Sequence, residues 1–452
     1  MSRVFAITFG LALIVVTFLT LQHQQPPTLK VATKLLGETW YRIELQDDHV
    51  GFMHNYATTD LEGRFHFTTT THFRLHPGAP TSISKTLEFS SEHGYPLNRA
   101  RYVNREHDQL ISVSIQREGS TYMATIENGA HTTQQNLDWQ FSLNDFVALE
   151  TWLESKRPAP GAVKLAKNPD FERLTISQQG FRVAAVNPEG YLLENDAPLA
   201  AHQIQLDHNY RPANLFMSGT FNFVATDQVD AIDLDQATSV TNYHFAADSR
   251  IANHTDVTRL KLSLVSKDLP ELPSTIEIRA GQASQLGEPG AFLGLALRYP
   301  IELAEIKRIV ANQKARAADD RELAENLARA VYQRLQYRAN SPAGSVVEAL
   351  RTGGGECADF ADLLTTLARA ADIPARTVYG LVYKDGSNPG FVFHAWNELF
   401  FDGAWVGMDP TWNQAQIDAT HLVLTDAQAG AIMLAVSRDD ISIAIQELDY
   451  SS

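Results

Sequence analysis

Residues 353–376 read GGGECADFADLLTTLARAADIPAR, and this stretch decides the fold of the C-terminal half. Apolar residues recur at helical spacing after Cys357, the only cysteine in the sequence, so a helix is predicted to begin there and to stop before Pro374. Asp359 and Asp362 are expected on its solvated face. Three glycines leave the first N–H groups of the helix accessible, and the positive end of its dipole favours a thiolate. On this stretch alone, Cys357 is either an activated nucleophile or an inert buried side chain.

A second stretch, FVFHAWNELFFDGAWVGMDPTW (391–412), predicts two strands joined by a hairpin at an Asp-Gly turn. If Phe401 faces Ala404 across the turn, His394 and Asp409 project to the same face as diagonal neighbours. A shift of one residue would place them on opposite faces. In the predicted register the carboxylate can orient and charge-stabilise the imidazole, which can pair with a thiolate. The sequence therefore permits a Cys–His–Asp arrangement.

Together these stretches resemble the transglutaminase-like superfamily, whose catalytic core has a papain-like fold, and in particular its bacterial membrane-anchored type with a β-rich N-terminal domain. The matching features, in the family's chain order, are the glycine-preceded cysteine, DIPAR at 372–376, HAW at 394–396 and DPTW at 409–412. The resemblance implies a nucleophile, a general base and acid, and a residue that orients it, which are respectively Cys357, His394 and Asp409. It implies no metal ion and no cofactor.

Three further residues are predicted to lie at the site. In relatives an aromatic or polar residue upstream of the cysteine helps to stabilise the oxyanion, and Tyr337 in LQYRANS matches that position. It would act beside the backbone N–H of Cys357. Trp396 is expected to line the site by packing, and Thr411 to face His394 across the hairpin.

The N-terminus predicts a membrane anchor. Residues 4–21, VFAITFGLALIVVTFLTL, carry no charge, and as a helix they approach the thickness of a hydrocarbon core. No small-x-small site follows, so an uncleaved transmembrane anchor is favoured over a cleaved signal peptide. Residues 22–33 are predicted to be a tether. The resulting expectation is a single-pass protein of the inner (cytoplasmic) membrane, with its bulk in the periplasm or extracytoplasmic space.

The remaining chain is predicted to be α+β. Residues 34–295 contain β-branched and aromatic runs separated by turn residues, which predicts an antiparallel β-rich domain with one helix near 142–156. Residues 301–452 would form the transglutaminase-like domain. Within the β-rich region, histidines of equal parity would share one face of a strand, which permits a metal site or simply three polar-face histidines: His66, His72 and His76.

The composition limits the classes of function that fit this chain. The formal net charge of −16 and the lack of any basic run argue against a nucleic-acid partner. The main hypothesis is a membrane-anchored enzyme that acts on amide bonds of a protein, a peptide or an envelope polymer through a thioester, by acyl transfer or hydrolysis. The alternatives are a cysteine peptidase of the envelope and a non-catalytic scaffold that binds through the β-rich domain. The sequence leaves the oligomeric state open.

Overall fold

The computed structural model describes residues 26–45, 48–73, 81–106, 109–129, 131–195, 202–217, 221–232, 244–265, 275–283, 288–294, 296–338, 343–423 and 442–451. Two structural halves follow each other along this chain. The elements of the first half are α1 (Pro27–Lys34), β1 (Gly37–Leu45), β2 (Asp48–Thr59), β3 (Phe65–Phe73), β4 (Thr81–Phe89), β5 (Leu97–Glu106), β6 (Gln109–Glu118), β7 (Thr121–Asn128), β8 (His131–Leu137), α2 (Leu143–Phe146), α3 (Ala148–Lys156), β9 (Val163–Asp170), β10 (Thr175–Asn187), β11 (Gly190–Asn195), β12 (His202–Leu206), β13 (Pro212–Met217), β14 (Phe221–Thr226) and α4 (Gln228–Ile232).

Among the described residues, β1 to β14 form one 14-stranded sheet, in the order β8-β7-β6-β5-β4-β3-β2-β1-β14-β13-β12-β11-β10-β9. It consists of two meanders, and the antiparallel pairing of β1 with β14 joins them. Alternation along the strands gives the sheet a buried face. In β7, for example, Tyr122, Ala124 and Ile126 are buried while the residues between them are more exposed. The buried face packs against α1 and the first turns after β8.

The second half contains β15 (His244–Ala246), β16 (Val257–Val265), β17 (Ile276–Arg279), α5 (Ala304–Lys314), α6 (Asp320–Arg334), β18 (Gln336–Tyr337), α7 (Val346–Thr352), β19 (Gly354–Gly355), α8 (Cys357–Ala370), β20 (Ala375–Lys384), β21 (Gly390–Phe401), β22 (Ala404–Met408), β23 (His421–Val423) and β24 (Ser442–Tyr450). Its main sheet has the order β15-β21-β20-β23, with β22 paired to β21. A second sheet has the order β17-β16-β24.

Helix α8 lies at the centre of this half. Leu363, Leu364 and Leu367 are buried in a core that the apolar faces of α5, α6 and α7 complete. The helix also contacts β20 and β21, so it is covered on nearly every side. It ends at Ala370, and Asp372 follows in the left-handed region with φ 67°. Aspartate tolerates that conformation better than most residues other than glycine, so the chain turns there before Pro374.

The expected fold class included a transmembrane helix, and this part of the expectation is wrong. In the described part of the chain no helix is long and apolar enough to cross a membrane. The described helices are short, and their apolar faces are used for packing in cores. The predicted anchor at 4–21 lies outside the described residues. Within the predicted tether the chain forms α1, whose Val31 and Ala32 are buried in the core of the β-rich half.

The strand pairing does not divide the chain into two structural halves at residue 295. Strand β15 extends the main sheet of the second half through β21, and β16 pairs with β24 near the C-terminus. Residues 244–265 and 276–279 therefore pack with the second half, because their apolar residues share a core with Leu381 and Phe391. The helix expected near 142–156 is present as α2 and α3, and Ser142 caps the first of them.

Candidate active site

Cys357 is the first residue of α8, and glycines shape the chain that leads to it. Helix α7 ends at Gly353, which has φ 67° and satisfies a carbonyl group of its last turn. Strand β19 follows and pairs in parallel with β18. A side chain at Gly355 would collide with the carboxylate of Asp359, so only glycine fits this approach. The sulfur is thereby carried on the first turn of a buried helix, where N–H groups lack intrahelical partners.

Asp359 fixes the loop around the cysteine. Its carboxylate accepts N–H groups from Ala343 (2.8 Å), Gly344 (3.1 Å) and Glu356 (2.8 Å). Burial raises the pKa of Asp359, although the three N–H groups act in the opposite direction. The expectation that Asp359 and Asp362 are solvated is therefore wrong. Both are buried, because the loop and β20 cover a face that looks free when the helix is considered alone.

The hairpin brings the predicted base and carboxylate together. Phe401 pairs with Ala404, as the sequence predicted, and the pairing continues to Asn397 opposite Met408. Beyond that point the chain leaves the strand, yet His394 Nε2 lies 2.8 Å from Asp409 Oδ2. His394 is 7% exposed and Asp409 is fully buried. The predicted pairing of Phe401 with Ala404 is confirmed, while the predicted pairs beyond Asn397, including His394 opposite Thr411, are not part of the ladder.

Cys357 lies close enough to His394 to favour the charged form of the imidazole. Because Asp409 occupies Nε2, the nitrogen that remains for the thiol is Nδ1. Burial by itself lowers the pKa of His394, but the charge and hydrogen bond of Asp409, followed by those of Cys357, raise it to about 10. Burial likewise opposes ionisation of Asp409, but His394 and then His421 hold its pKa well below the usual value. The site thus favours an imidazolium at His394 beside a carboxylate at Asp409.

Aromatic rings enclose the imidazole. The ring of Trp412 stacks on His394 with centroids 4.7 Å apart and planes inclined by 16°. The ring of Trp396 lies 6.3 Å from that of His394 and is completely buried. Such a surrounding excludes water and strengthens the charge interactions within the site.

Comparison with known proteins agrees with this geometry. Residues 307–410 match the family model of the transglutaminase-like superfamily. This segment is a transglutaminase-like domain. The chain therefore carries a domain of a cysteine-type enzyme. No curated protein matches the chain.

Several solved structures are similar to parts of the chain. The periplasmic domain of TgpA from Pseudomonas aeruginosa is 15% identical, and the match covers 61% of this chain and 86% of that one with a TM-score of 0.24. A Cytophaga hutchinsonii protein, provisionally described as a cysteine protease, is 14% identical over 46% of this chain and 86% of its own, with a TM-score of 0.28. A TGase is 20% identical over 24% of this chain and 30% of its own, with a TM-score of 0.19.

Tyr337 of the transglutaminase-like domain lies beside the cysteine. Its backbone belongs to β18, which pairs with Gly354 and Gly355, and only Glu356 separates these glycines from Cys357. The side chain is 55% exposed. Burial, followed by the charges of Cys357 and Glu356, raises the pKa of Tyr337, so its hydroxyl keeps the proton that an oxyanion donor needs. Its role in stabilising an oxyanion stays a prediction.

The two other residues predicted to line the site, Thr411 and Trp396, contact the Asp409 carboxylate and the histidine rings, respectively. The backbone N–H of Thr411 donates to Asp409 Oδ1 at 2.8 Å, which fixes the second oxygen of that carboxylate. Trp396 packs beneath the site rather than facing solvent. Its edge-to-face contact with His421, at 5.2 Å, involves a histidine that the sequence analysis did not single out.

His421 and Asp418 are the functional candidates that sequence reasoning missed. His421 Nε2 lies 3.4 Å from the same Asp409 oxygen that His394 contacts, and its Nδ1 lies 3.3 Å from Asp418. Neither residue belongs to a hairpin or helix pattern from which the contacts of His421 with Asp409 and Asp418 could have been predicted. The only available signal is the presence of an aspartate and a histidine shortly after the DPTW motif.

Three of these side chains are of types that bind metal ions. The donor atoms of His394, Asp409 and His421 all lie within 4.8 Å of one another. Two ligands of a tetrahedral zinc ion are about 3.3 Å apart, given metal–ligand bonds of about 2.0–2.1 Å. The separation of 2.8 Å between His394 and Asp409 is shorter and is the length of a charge-assisted hydrogen bond. The contact is therefore better explained by a shared proton than by a shared cation.

The histidines of the β-rich half contact different partners. His66 Nε2 lies 2.9 Å from the carboxylate of Asp60, whereas the ring of His72 stacks on Phe52 at 5.2 Å. His76 lies outside the described residues. The two described histidines are thus accounted for by a hydrogen bond and a ring contact.

Proposed function

We propose that the protein is a cysteine acyl-transfer or amide-hydrolysing enzyme in which Cys357, His394 and Asp409 act as a triad. The observation that carries the proposal is the contact of His394 Nε2 with buried Asp409 at 2.8 Å, in an imidazole whose pKa Cys357 also helps to raise. A nucleophile, a base and a residue that orients the base thereby belong to one site.

In the first step the Cys357 thiolate attacks the carbonyl carbon of an amide. The carbonyl π electrons move to oxygen, and the backbone N–H of Cys357 and the Tyr337 hydroxyl are the donors proposed for that oxyanion. When the C–N bond breaks, His394 gives its Nδ1 proton to the departing amine. The products of this step are a thioester on Cys357 and a free amine.

In the second step water or a primary amine attacks the thioester. Neutral His394 takes a proton from this acceptor, the C–S bond breaks, and the thiolate is restored beside an imidazolium. Water gives hydrolysis, and an amine gives a new amide. Asp409 keeps the imidazole in one tautomer and stabilises its charged form in both steps.

A protein or peptide amide is the proposed substrate. Tyr337 is about half exposed, and its backbone pairs with Gly355, two residues before Cys357, so its ring lies near the nucleophile and remains open to solvent. An exposed aromatic ring beside a nucleophile suits a peptide, because aromatic side chains provide a large contact area.

The test is to incubate the full chain with a library of glutamine-bearing peptides and a tagged primary amine. Tag incorporation would support transfer, and deamidated or shortened peptides would support hydrolysis. Cys357→Ser and His394→Ala should abolish either product, whereas His208→Ala, at an exposed position, should not. If Cys357→Ser converts the peptides as fast as the unmodified chain, the triad proposal is wrong. If the unmodified chain converts none of them, a non-catalytic binding role becomes the better account.

A further inference from the structure

A second histidine–aspartate pair, His421 and Asp418, lies next to Asp409. His421 contacts Asp409 through Nε2 at 3.4 Å and Asp418 through Nδ1 at 3.3 Å. Asp418 in turn accepts the N–H of Thr420 at 2.8 Å and a side-chain N–H of Gln414 at 2.8 Å. His421 is 1% exposed and Asp418 is 4% exposed. An imidazole therefore lies between two carboxylates in a place that solvent does not reach.

This surrounding favours a protonated His421. Both ring nitrogens must donate if each is to bond to a carboxylate, and only the imidazolium has two N–H groups. Burial lowers the pKa of His421, but the hydrogen bonds and charges of Asp409 and Asp418 raise it above the usual value. Another charged neighbour among the described residues is His394, with ring centroids 6.3 Å apart, and the adjacent rings of Trp396 and Trp412 carry no charge.

We propose that His421 and Asp418 are positioning residues of the triad, with protonated His421 as a counter-charge that orients Asp409 and limits how tightly His394 holds its proton. A buried carboxylate in contact with His394 stabilises the imidazolium strongly. A positive charge on His421, which contacts the same Asp409 oxygen, cancels part of that stabilisation. This matters because an acid–base group works best when its pKa is near the working pH. The proposal rests on the function proposed above.

The test uses the thiol itself, so that the two proposals can fail separately. The chain has one cysteine, and the rate of alkylation by iodoacetamide therefore reports on Cys357 alone. As the pH rises, the rate should increase in two steps. The first marks formation of the ion pair with His394, and the second marks loss of the His394 proton, which leaves an unpaired thiolate. His394→Ala should remove the second step and so identify it.

His421→Gln keeps an N–H donor for Asp409 but carries no charge. We expect the second step to move to higher pH by about two units, since two charges 6.3 Å apart interact on this scale at an effective dielectric constant of about 20. Asp418→Asn leaves the imidazole in place and lowers its proton affinity, so it should shift the step in the same direction by a smaller amount. His49→Gln is the matched control, because His49 is buried in the β-rich half, and both steps should stay in place.

Circular dichroism and thermal unfolding establish that each variant is folded. An unchanged second step in folded His421→Gln would overturn the proposal, because a residue that only supports packing would be replaced by glutamine without effect on that step. If His421→Gln does not fold, Asp418→Asn decides by the same criterion, and if that variant also fails, the doubly neutral His421→Gln/Asp418→Asn protein decides. A shifted step without any amide conversion would reject the proposed function alone. Amide conversion with an unshifted step would reject only the role of His421.

Discussion

Asn397, on the strand that carries His394, donates its side-chain N–H groups to the carbonyl oxygen of Ala361 at 2.7 Å and to the hydroxyl of Thr365 at 2.8 Å. Both acceptors belong to the helix that begins at Cys357. All three residues are completely buried. A single amide therefore links the strand of the base to the helix of the nucleophile.

Replacing this amide should affect stability and thiol reactivity together. Asn397→Ala removes two buried hydrogen bonds and leaves a small cavity, so we expect the free energy of unfolding to fall by about 2–3 kcal/mol. The alkylation rate of Cys357 at neutral pH should fall as well, because the helix and the strand can then separate. Urea unfolding and iodoacetamide kinetics measure the two effects. Asn209→Ala, at an exposed turn, should change stability by less than about 0.5 kcal/mol, and equal losses in the two variants would contradict the assignment.

Gly355 should tolerate no side chain. A methyl group there meets the carboxylate of Asp359, which holds three backbone N–H groups of the loop before Cys357. Gly355→Ala should therefore lower the free energy of unfolding by about 1–3 kcal/mol and reduce alkylation of the thiol. In Gly290→Ala, by contrast, the added methyl group meets no atom within 4 Å, and this variant should be nearly neutral. Thermal unfolding of both variants checks the difference, and a neutral Gly355→Ala would show that the loop does not depend on this close approach.

The sequence predicted the parts of the site that depend on local geometry. The Asp-Gly turn at 402–403 has φ of 54° and 77°, which is the backbone of a tight hairpin, and the register follows directly from it. The start of α8 was predictable for the same reason, since glycines and helical periodicity act over a few residues. That register brings His394 and Asp409 to neighbouring positions at the end of the hairpin, and the turn after Met408 completes their contact.

What the sequence did not predict depends on contacts between distant segments. Asp359 lies on a helix face that looks solvated in isolation, but Ala343 and Gly344 fold over it. His421 reaches Asp409 only because the chain turns back after the hairpin, where Asp409 pairs with Gln414. The single 14-stranded sheet is a similar case, because it depends on the pairing of β1 with β14 far along the chain. The spacing of residues within a short segment carries no information about such contacts.

Neutralising Asp409 should disable the triad without unfolding the protein. In Asp409→Asn an amide faces two imidazoles, and an acceptor nitrogen of His394 would turn toward the new N–H group, so Nδ1 would carry the proton toward the thiol. By analogy with serine proteases, the wrong tautomer should reduce amide conversion by about 10²–10⁴-fold. Steady-state conversion of the peptides described above measures this loss. Asp385→Asn, which changes an exposed partner of Arg250, should leave the rate within about twofold, and a comparable loss there would point to a general effect of charge.

The pH dependence of stability should show the protonated state of His394. Its pKa is raised from 6.5 to about 10 in the folded protein, so the folded state binds the proton more tightly than the unfolded state does. The stabilisation is fully present below pH 6.5 and is lost as the pH rises toward 10. In that interval the free energy of unfolding of the unmodified chain should decrease more steeply than that of His394→Gln, by up to about 1.4 kcal/mol per pH unit.

Urea unfolding of both proteins at several pH values between these limits measures the two slopes. His208→Gln, at an exposed position in the β-rich half, is the matched control and should follow the unmodified chain. Parallel curves for the unmodified chain and His394→Gln would mean that His394 gains no proton affinity on folding. The carboxylate of Asp409 would then not stabilise an imidazolium, and the charge arrangement derived for the triad would be wrong. A steeper slope that disappears in His394→Gln but persists in His208→Gln assigns the bound proton to the imidazole between Cys357 and Asp409.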